Sequence, residues 1–285
     1  MKNALIASRD RFAADNPEER IVLNGREWGV VDTGSAGPVL LLIPGTLGRG
    51  DIFWQQIEAL RGRARVLAVT YPATGGVAEW ADDLALLMDR RGIGRAVVLG
   101  SSLGGYLAQY MAAVHAARVE RLIAANTLCS VAPVRQVPPY NSDLDNGPIG
   151  VLRDGFGTGL RGWAAAHPDQ AELVDLLLAE VGGRIPEPEL RTRLNGIKRA
   201  PDLPAVALAA DRIVTVEAAD DPLIPPFMRE EVRARLSPSV AYRFESGGHF
   251  PYAARPALYA AMLEEQLGLV PDGSTEWGGG EVRAR

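Results

Sequence analysis

Short, nearly unbroken apolar runs recur along the chain, separated by stretches in which apolar positions return every three or four residues. Val39 to Ile43 (VLLLI), Arg65 to Thr70 (RVLAVT), Ala96 to Leu99 (AVVL), Arg121 to Ala125 (RLIAA) and Arg212 to Val216 (RIVTV) are almost continuously apolar, as strands covered on both faces must be. Between them, Asp51 to Leu60, Val77 to Asp89 and Leu103 to Ala117 read as helices. In the second of these, Trp80, Leu84, Leu87 and Met88 fall near one stripe. This alternation predicts an α/β protein whose parallel strands are joined by crossover helices. Ile21 to Asn24 and Trp28 to Asp32 flank Gly25 and Arg26 and predict a hairpin. A helix from about Pro226 to Leu236, a strand at Val240 to Phe244 and a helix from about Pro256 to Leu267 complete the expected core.

The alternation stops between Ser130 and about Pro201, where Pro133, Pro138, Pro139, Pro148, Pro168, Pro186 and Pro188 punctuate short helical pieces. The expected organisation is a core of residues 1–129 and 202–270, interrupted by a helical insertion at 130–201. From Pro271 the segment PDGSTEWGGGEVRAR lacks periodic apolar residues, which predicts a frayed tail at 271–285.

Composition narrows the function. At 285 residues and 47% apolar, the chain is long enough to bury one large core. The net charge of -5 is scattered, with no basic run to track phosphates, so nucleic acid is not an expected partner. Charges break the first twenty residues before any signal-peptide core can form, and no apolar run reaches membrane-spanning length. A soluble, cytoplasmic protein is expected. The single cysteine, Cys129, has no internal partner for a disulfide and reads as a small apolar residue near a strand end.

The chemistry gathers around Gly100-Ser101-Ser102-Leu103-Gly104, a G-x-S-x-G pattern between the AVVL strand and the helix that starts LGGYLAQ. That placement, more than the letters, predicts a nucleophile elbow, in which two glycines let the backbone approach closely while Ser102 stands exposed at the tip. A serine hydroxyl needs a base, and the base needs a carboxylate to orient it. Among the three histidines, His115 lies within the helix after the elbow and His167 precedes Pro168 in the insertion. His249, in SGGHFPY, follows the last strand at the end of the sheet where ligands bind in open α/β folds. Asp220 and Asp221 stand past the RIVTVEA segment, and either carboxylate is placed to reach the histidine loop. The oxyanion of a tetrahedral intermediate needs backbone donors. Leu103 N–H is one candidate, and Thr46 N–H in Pro44-Gly45-Thr46-Leu47-Gly48 is the first choice for the other, ahead of Leu47. There is no P-loop, GFGTG at Gly155 to Gly159 lacks dinucleotide spacing, and no His/Cys cluster has zinc-site spacing. No cofactor or metal is called for.

Taken in order, LLIPGTLG, VLGSSLGGYLAQ, EAADDPLIP and SGGHFPY resemble the α/β-hydrolase superfamily over nearly the whole chain. Within it the sequence is most similar to the maspardin branch, through PGTLGRGDIFWQQI, SLGGYLAQ and GGHFPY followed by an Arg and a helix. The resemblance implies a mostly parallel sheet with helices on both faces and a helical cap formed by the insertion. It also implies a triad of Ser102, Asp221 and His249, leaving Asp220 as a solvated turn residue. One departure is Pro44-Gly45 at the oxyanion loop, where most relatives carry His-Gly, so a supporting side chain is missing. The implied activity is ester hydrolysis of a small apolar acyl substrate through an acyl-enzyme. Carbon–carbon bond or lactone hydrolysis by the same triad is the alternative enzyme, and a non-catalytic, maspardin-like binding protein is the alternative class. Phe156, Leu160 and Trp163 are the insertion's apolar candidates for a substrate pocket.

Overall fold

The computed structural model describes residues 3–270, 277 and 279–285. The chain opens with helix α1 (Ala4–Asp15), followed by the hairpin of β1 (Glu19–Leu23) and β2 (Arg26–Asp32) and by β3 (Val39–Ile43). Then come α2 (Trp54–Leu60), β4 (Arg65–Thr70), α3 (Val77–Arg90), β5 (Ala96–Ser101), α4 (Leu103–Val114) and β6 (Val119–Ala125). Helices α5 (Ile149–Ala166), α6 (Ala171–Ala179) and α7 (Glu187–Lys198) lie between β6 and β7 (Ile213–Ala218). The remainder is α8 (Pro226–Leu236), β8 (Val240–Phe244), α9 (Pro251–Ala254), α10 (Pro256–Gln266) and β9 (Val282–Ala284).

The strands form one sheet in the order β1-β2-β4-β3-β5-β6-β7-β8-β9. Strand β2 is antiparallel to β1 and β4, and every other neighbouring pair is parallel. Because successive side chains point to opposite faces, each apolar strand feeds two cores. Leu40, Leu42, Ala68 and Leu99 pack with Trp54 and Ile57 of α2 and Met262 of α10. Leu41, Ile43, Val69 and Val98 pack with Trp80 and Leu84 of α3, Leu107 of α4 and Val232 of α8. This double coverage is why the parallel strands read as continuous apolar runs.

Three expectations change. The helix expected over Leu103 to Ala117 stops at Val114, and His115 is its C-cap, with Nε2 2.8 Å from Asp82 Oδ1. The segment expected as a helix from Asp51 begins as a 3-10 turn at Gly50–Phe53 before α2. The tail expected to fray carries an edge strand: Ala241, Tyr242 and Arg243 of β8 pair with Val282, Arg283 and Ala284 of β9. Trp277 packs edge-on against Tyr242 and Phe244. Residues 271–276 and 278 of that expectation lie outside the described residues. No helix among the described residues is long and apolar enough to cross a membrane.

Candidate active site

Ser102 sits between β5 and α4 with φ 56° and ψ -118°, a backbone conformation that costs a non-glycine residue free energy and persists only where neighbours enforce it. The enforcing contacts are explicit. Ser102 N–H donates to Ala125 O at 2.9 Å, and Thr127 Oγ1 donates to Ser102 O at 2.7 Å. Helix α4 crosses tight against the sheet because Gly100 and Gly104 carry no Cβ. One built on Gly104 would lie 2.6 Å from Pro44 O.

The Pro44 to Gly48 loop runs beside the elbow, since a Cβ placed on Gly45 would be 3.8 Å from Ser102 Oγ. Gly48 N–H donates to Gly45 O at 3.1 Å, folding the loop into a turn. Thr46 and Leu103 are buried. Leu103 opens a helix, whose first N–H groups have no intrahelical acceptor. Leu103 thus follows the serine directly, and the loop that carries Thr46 runs beside it.

Beyond β7, Asp221 is buried and accepts from Leu223 N–H at 2.8 Å, Ile224 N–H at 3.1 Å and Asn126 Nδ2 at 3.0 Å. Its Oδ2 lies 2.9 Å from His249 Nδ1. Burial acts to raise this carboxyl, but the charge and hydrogen bond of His249, the Asn126 amide and Leu223 N–H outweigh it and hold the group below its ordinary value. With Nδ1 held by the carboxylate, Nε2 of His249 is left as the ring's working nitrogen. Two of the three expected residues are therefore joined by a hydrogen bond, and Ser102 stands at the same carboxyl edge of the sheet. Ser102 Oγ and His249 Nε2 have no hydrogen-bond partner among the described residues.

At the site, the expectation for Asp220 changes. Asp220 is not a free solvated turn residue. Its carboxylate accepts from Gly247 N–H at 3.1 Å and Gly248 N–H at 2.9 Å, so it ties down the loop immediately before His249. The two adjacent carboxylates serve one histidine, Asp221 at the ring and Asp220 at the backbone. Asn126 was missed altogether. It follows β6 at φ 43°, a left-handed conformation that asparagine tolerates better than most residues, and an Asn directly after an apolar strand was the available signal. Of the insertion's apolar candidates, Trp163 stacks on His167 with ring centroids 3.8 Å apart and abuts Gly248. Phe156 and Leu160 pack against the core.

The profile of the alpha/beta hydrolase family matches residues 40–262, from within β3 to within α10. The chain belongs to that family. Maspardin of Danio rerio is 24% identical over 90% of this chain and 84% of its own length, and mouse maspardin is 25% identical over 86% and 82%. Among solved structures, a hydrolase from Pseudomonas aeruginosa superposes with a TM-score of 0.74 at 22% identity, covering 88% of this chain and 98% of that one. The family member described here thus lies near the maspardin branch.

The lowered Asp221 carboxyl ties acid to stability. A carboxyl whose folded pKa is below its unfolded value contributes stability that is fully present above the unfolded value and is lost as pH falls through the folded one. The difference in unfolding free energy between wild type and Asp221→Asn is therefore expected to narrow as pH drops from neutral to below 3.8, the ordinary value. Urea melts of both proteins across that range check it. A difference that stays constant would disprove the linkage.

Proposed function

We propose that this family member is a cofactor-independent serine hydrolase, a carboxylesterase acting on a small apolar acyl ester. The observation that carries the reading is the strained elbow at Ser102 combined with the bonded Asp221–His249 pair at the same edge of the sheet. In the proposed reaction His249 Nε2 takes the Ser102 hydroxyl proton as Oγ attacks the ester carbonyl. Asp221 stabilises the imidazolium, and the N–H groups of Thr46 and Leu103 receive the oxyanion. Collapse of the tetrahedral intermediate expels the alcohol, which leaves with the proton returned by His249. Water then attacks the acyl-enzyme by the same steps and frees the acid and Ser102.

A fluorophosphonate probe tests the reading because it captures an activated serine whatever the natural substrate. One adduct on Ser102 is expected in the wild type and none in Ser102→Ala, by intact mass and peptide mapping. A folded wild type that stays unlabelled would favour the non-catalytic binding role.

A further inference from the structure

Among the described residues Arg193 is the bulkiest fully buried charged side chain, and the proposed reaction leaves it unused. It belongs to α7 of the insertion and is fully buried. Its Nη1 donates to Gly48 O at 2.7 Å and to Thr46 O at 3.2 Å, and its Nη2 donates to Glu189 Oε2 at 3.0 Å. The guanidinium lies over the Tyr71 ring, 5.3 Å from its centroid, and the Tyr71 hydroxyl donates to Pro44 O at 2.9 Å. Removing a guanidinium from water is costly, and an apolar side chain of similar size would fill the space without that cost. What the apolar side chain would lack is a nitrogen that donates to two carbonyls while a second one is held by Glu189.

Those carbonyls belong to the oxyanion loop. A peptide unit is planar, so fixing its C=O fixes the direction of the next N–H. Gly48 N–H fixes the Gly45 unit that carries Thr46 N–H, Tyr71 fixes the Pro44 unit before it, and Arg193 fixes the Thr46 unit directly after it and the Gly48 unit beyond. The loop is thus held by α7 on one hand and by Tyr71, the residue that follows β4, on the other.

We propose that Arg193 is a positioning residue for the oxyanion loop, so that the donor at Thr46 is in place only while α7 of the insertion is docked on the core. The inference rests on the serine-hydrolase reading. It also changes what the insertion does: removing it would cost turnover, beyond any effect on substrate choice.

Arg193→Met keeps the bulk and removes the donors. Turnover of a short acyl ester is expected to fall about 100-fold with KM nearly unchanged, because a displaced oxyanion donor acts on the transition state. Hydrogen exchange across Thr46 to Gly48 should quicken in the same variant. Arg193→Lys keeps the charge beside Glu189 with a single-point donor, and should recover roughly half of the loss on a logarithmic scale. It carries the test if the Met variant fails to fold. Wild-type kcat in either folded variant, a loss confined to KM, or unchanged loop exchange would overturn the proposal. Failure of the underlying reading looks different: the wild type itself would neither take up fluorophosphonate nor turn over.

Discussion

Asp221→Asn is expected to lower kcat for ester hydrolysis by about 10⁴ while leaving the fold intact, because loss of the acid fixes the wrong histidine tautomer. The amide oxygen of an asparagine still accepts from Leu223 N–H or the Asn126 amide, so the loop keeps partners. Its NH₂ group, however, donates toward His249 Nδ1, which forces the proton onto Nε2, where a base must be free. Asp220→Asn provides the contrast. It retains one acceptor oxygen for the Gly247 and Gly248 amides and loses one hydrogen bond, worth about tenfold at most. Steady-state kinetics on both variants, with folding checked by circular dichroism, separate the two carboxylates. A severe loss confined to Asp220→Asn would overturn the assignment.

That division of labour also marks how far the sequence was legible. Asp221 was set apart from Asp220 by the resemblance to the α/β-hydrolase superfamily, but the task of Asp220 required knowing that two glycine amides fold back onto it. The strands were legible because burial on both faces leaves an unbroken apolar run, and Val39–Ile43 and Arg65–Thr70 fall where the pattern puts them. Helix α1 was not legible. Its apolar positions form no stripe, and its anchors, Phe12 in the core and Arg9 paired with buried Glu180, lie in distant parts of the fold. Strand β9 was hidden for a related reason: Gly-rich, charged sequence pairs at a sheet edge through its backbone, which needs no apolar alternation. Arg193 was invisible too, since a charged residue on a helix reads as solvated until the loop packed against it is known.

The glycines of the elbow are where local sequence and tertiary structure agree most closely, and they carry the largest expected effect on stability. The pattern required small residues at Gly100 and Gly104 for close backbone approach, and the packing shows the demand directly. A Cβ on Gly100 would collide with the Gly104 carbonyl and lie 2.7 Å from Gly105 N, inside the 3.0 Å that real Cβ atoms respect. The opposing atoms are backbone in the first turn of α4, so no side chain can rotate aside. Relief must come from lifting the helix off β5 or distorting Ser102, which is already strained. Gly100→Ala is therefore expected to destabilise the fold by about 3 kcal/mol or more, at the upper end of what overpacking costs. That is a large share of the ~5–15 kcal/mol that holds a typical domain together. Gly94→Ala is the control, because nothing lies within 4 Å of a Cβ there, and its effect should stay within about 0.5 kcal/mol of wild type. Denaturant melts of the two variants decide the matter. If Gly100→Ala melts with Gly94→Ala, helix α4 can shift off the sheet at little cost, and the strained geometry at Ser102 is not enforced by the crossing of the two glycines.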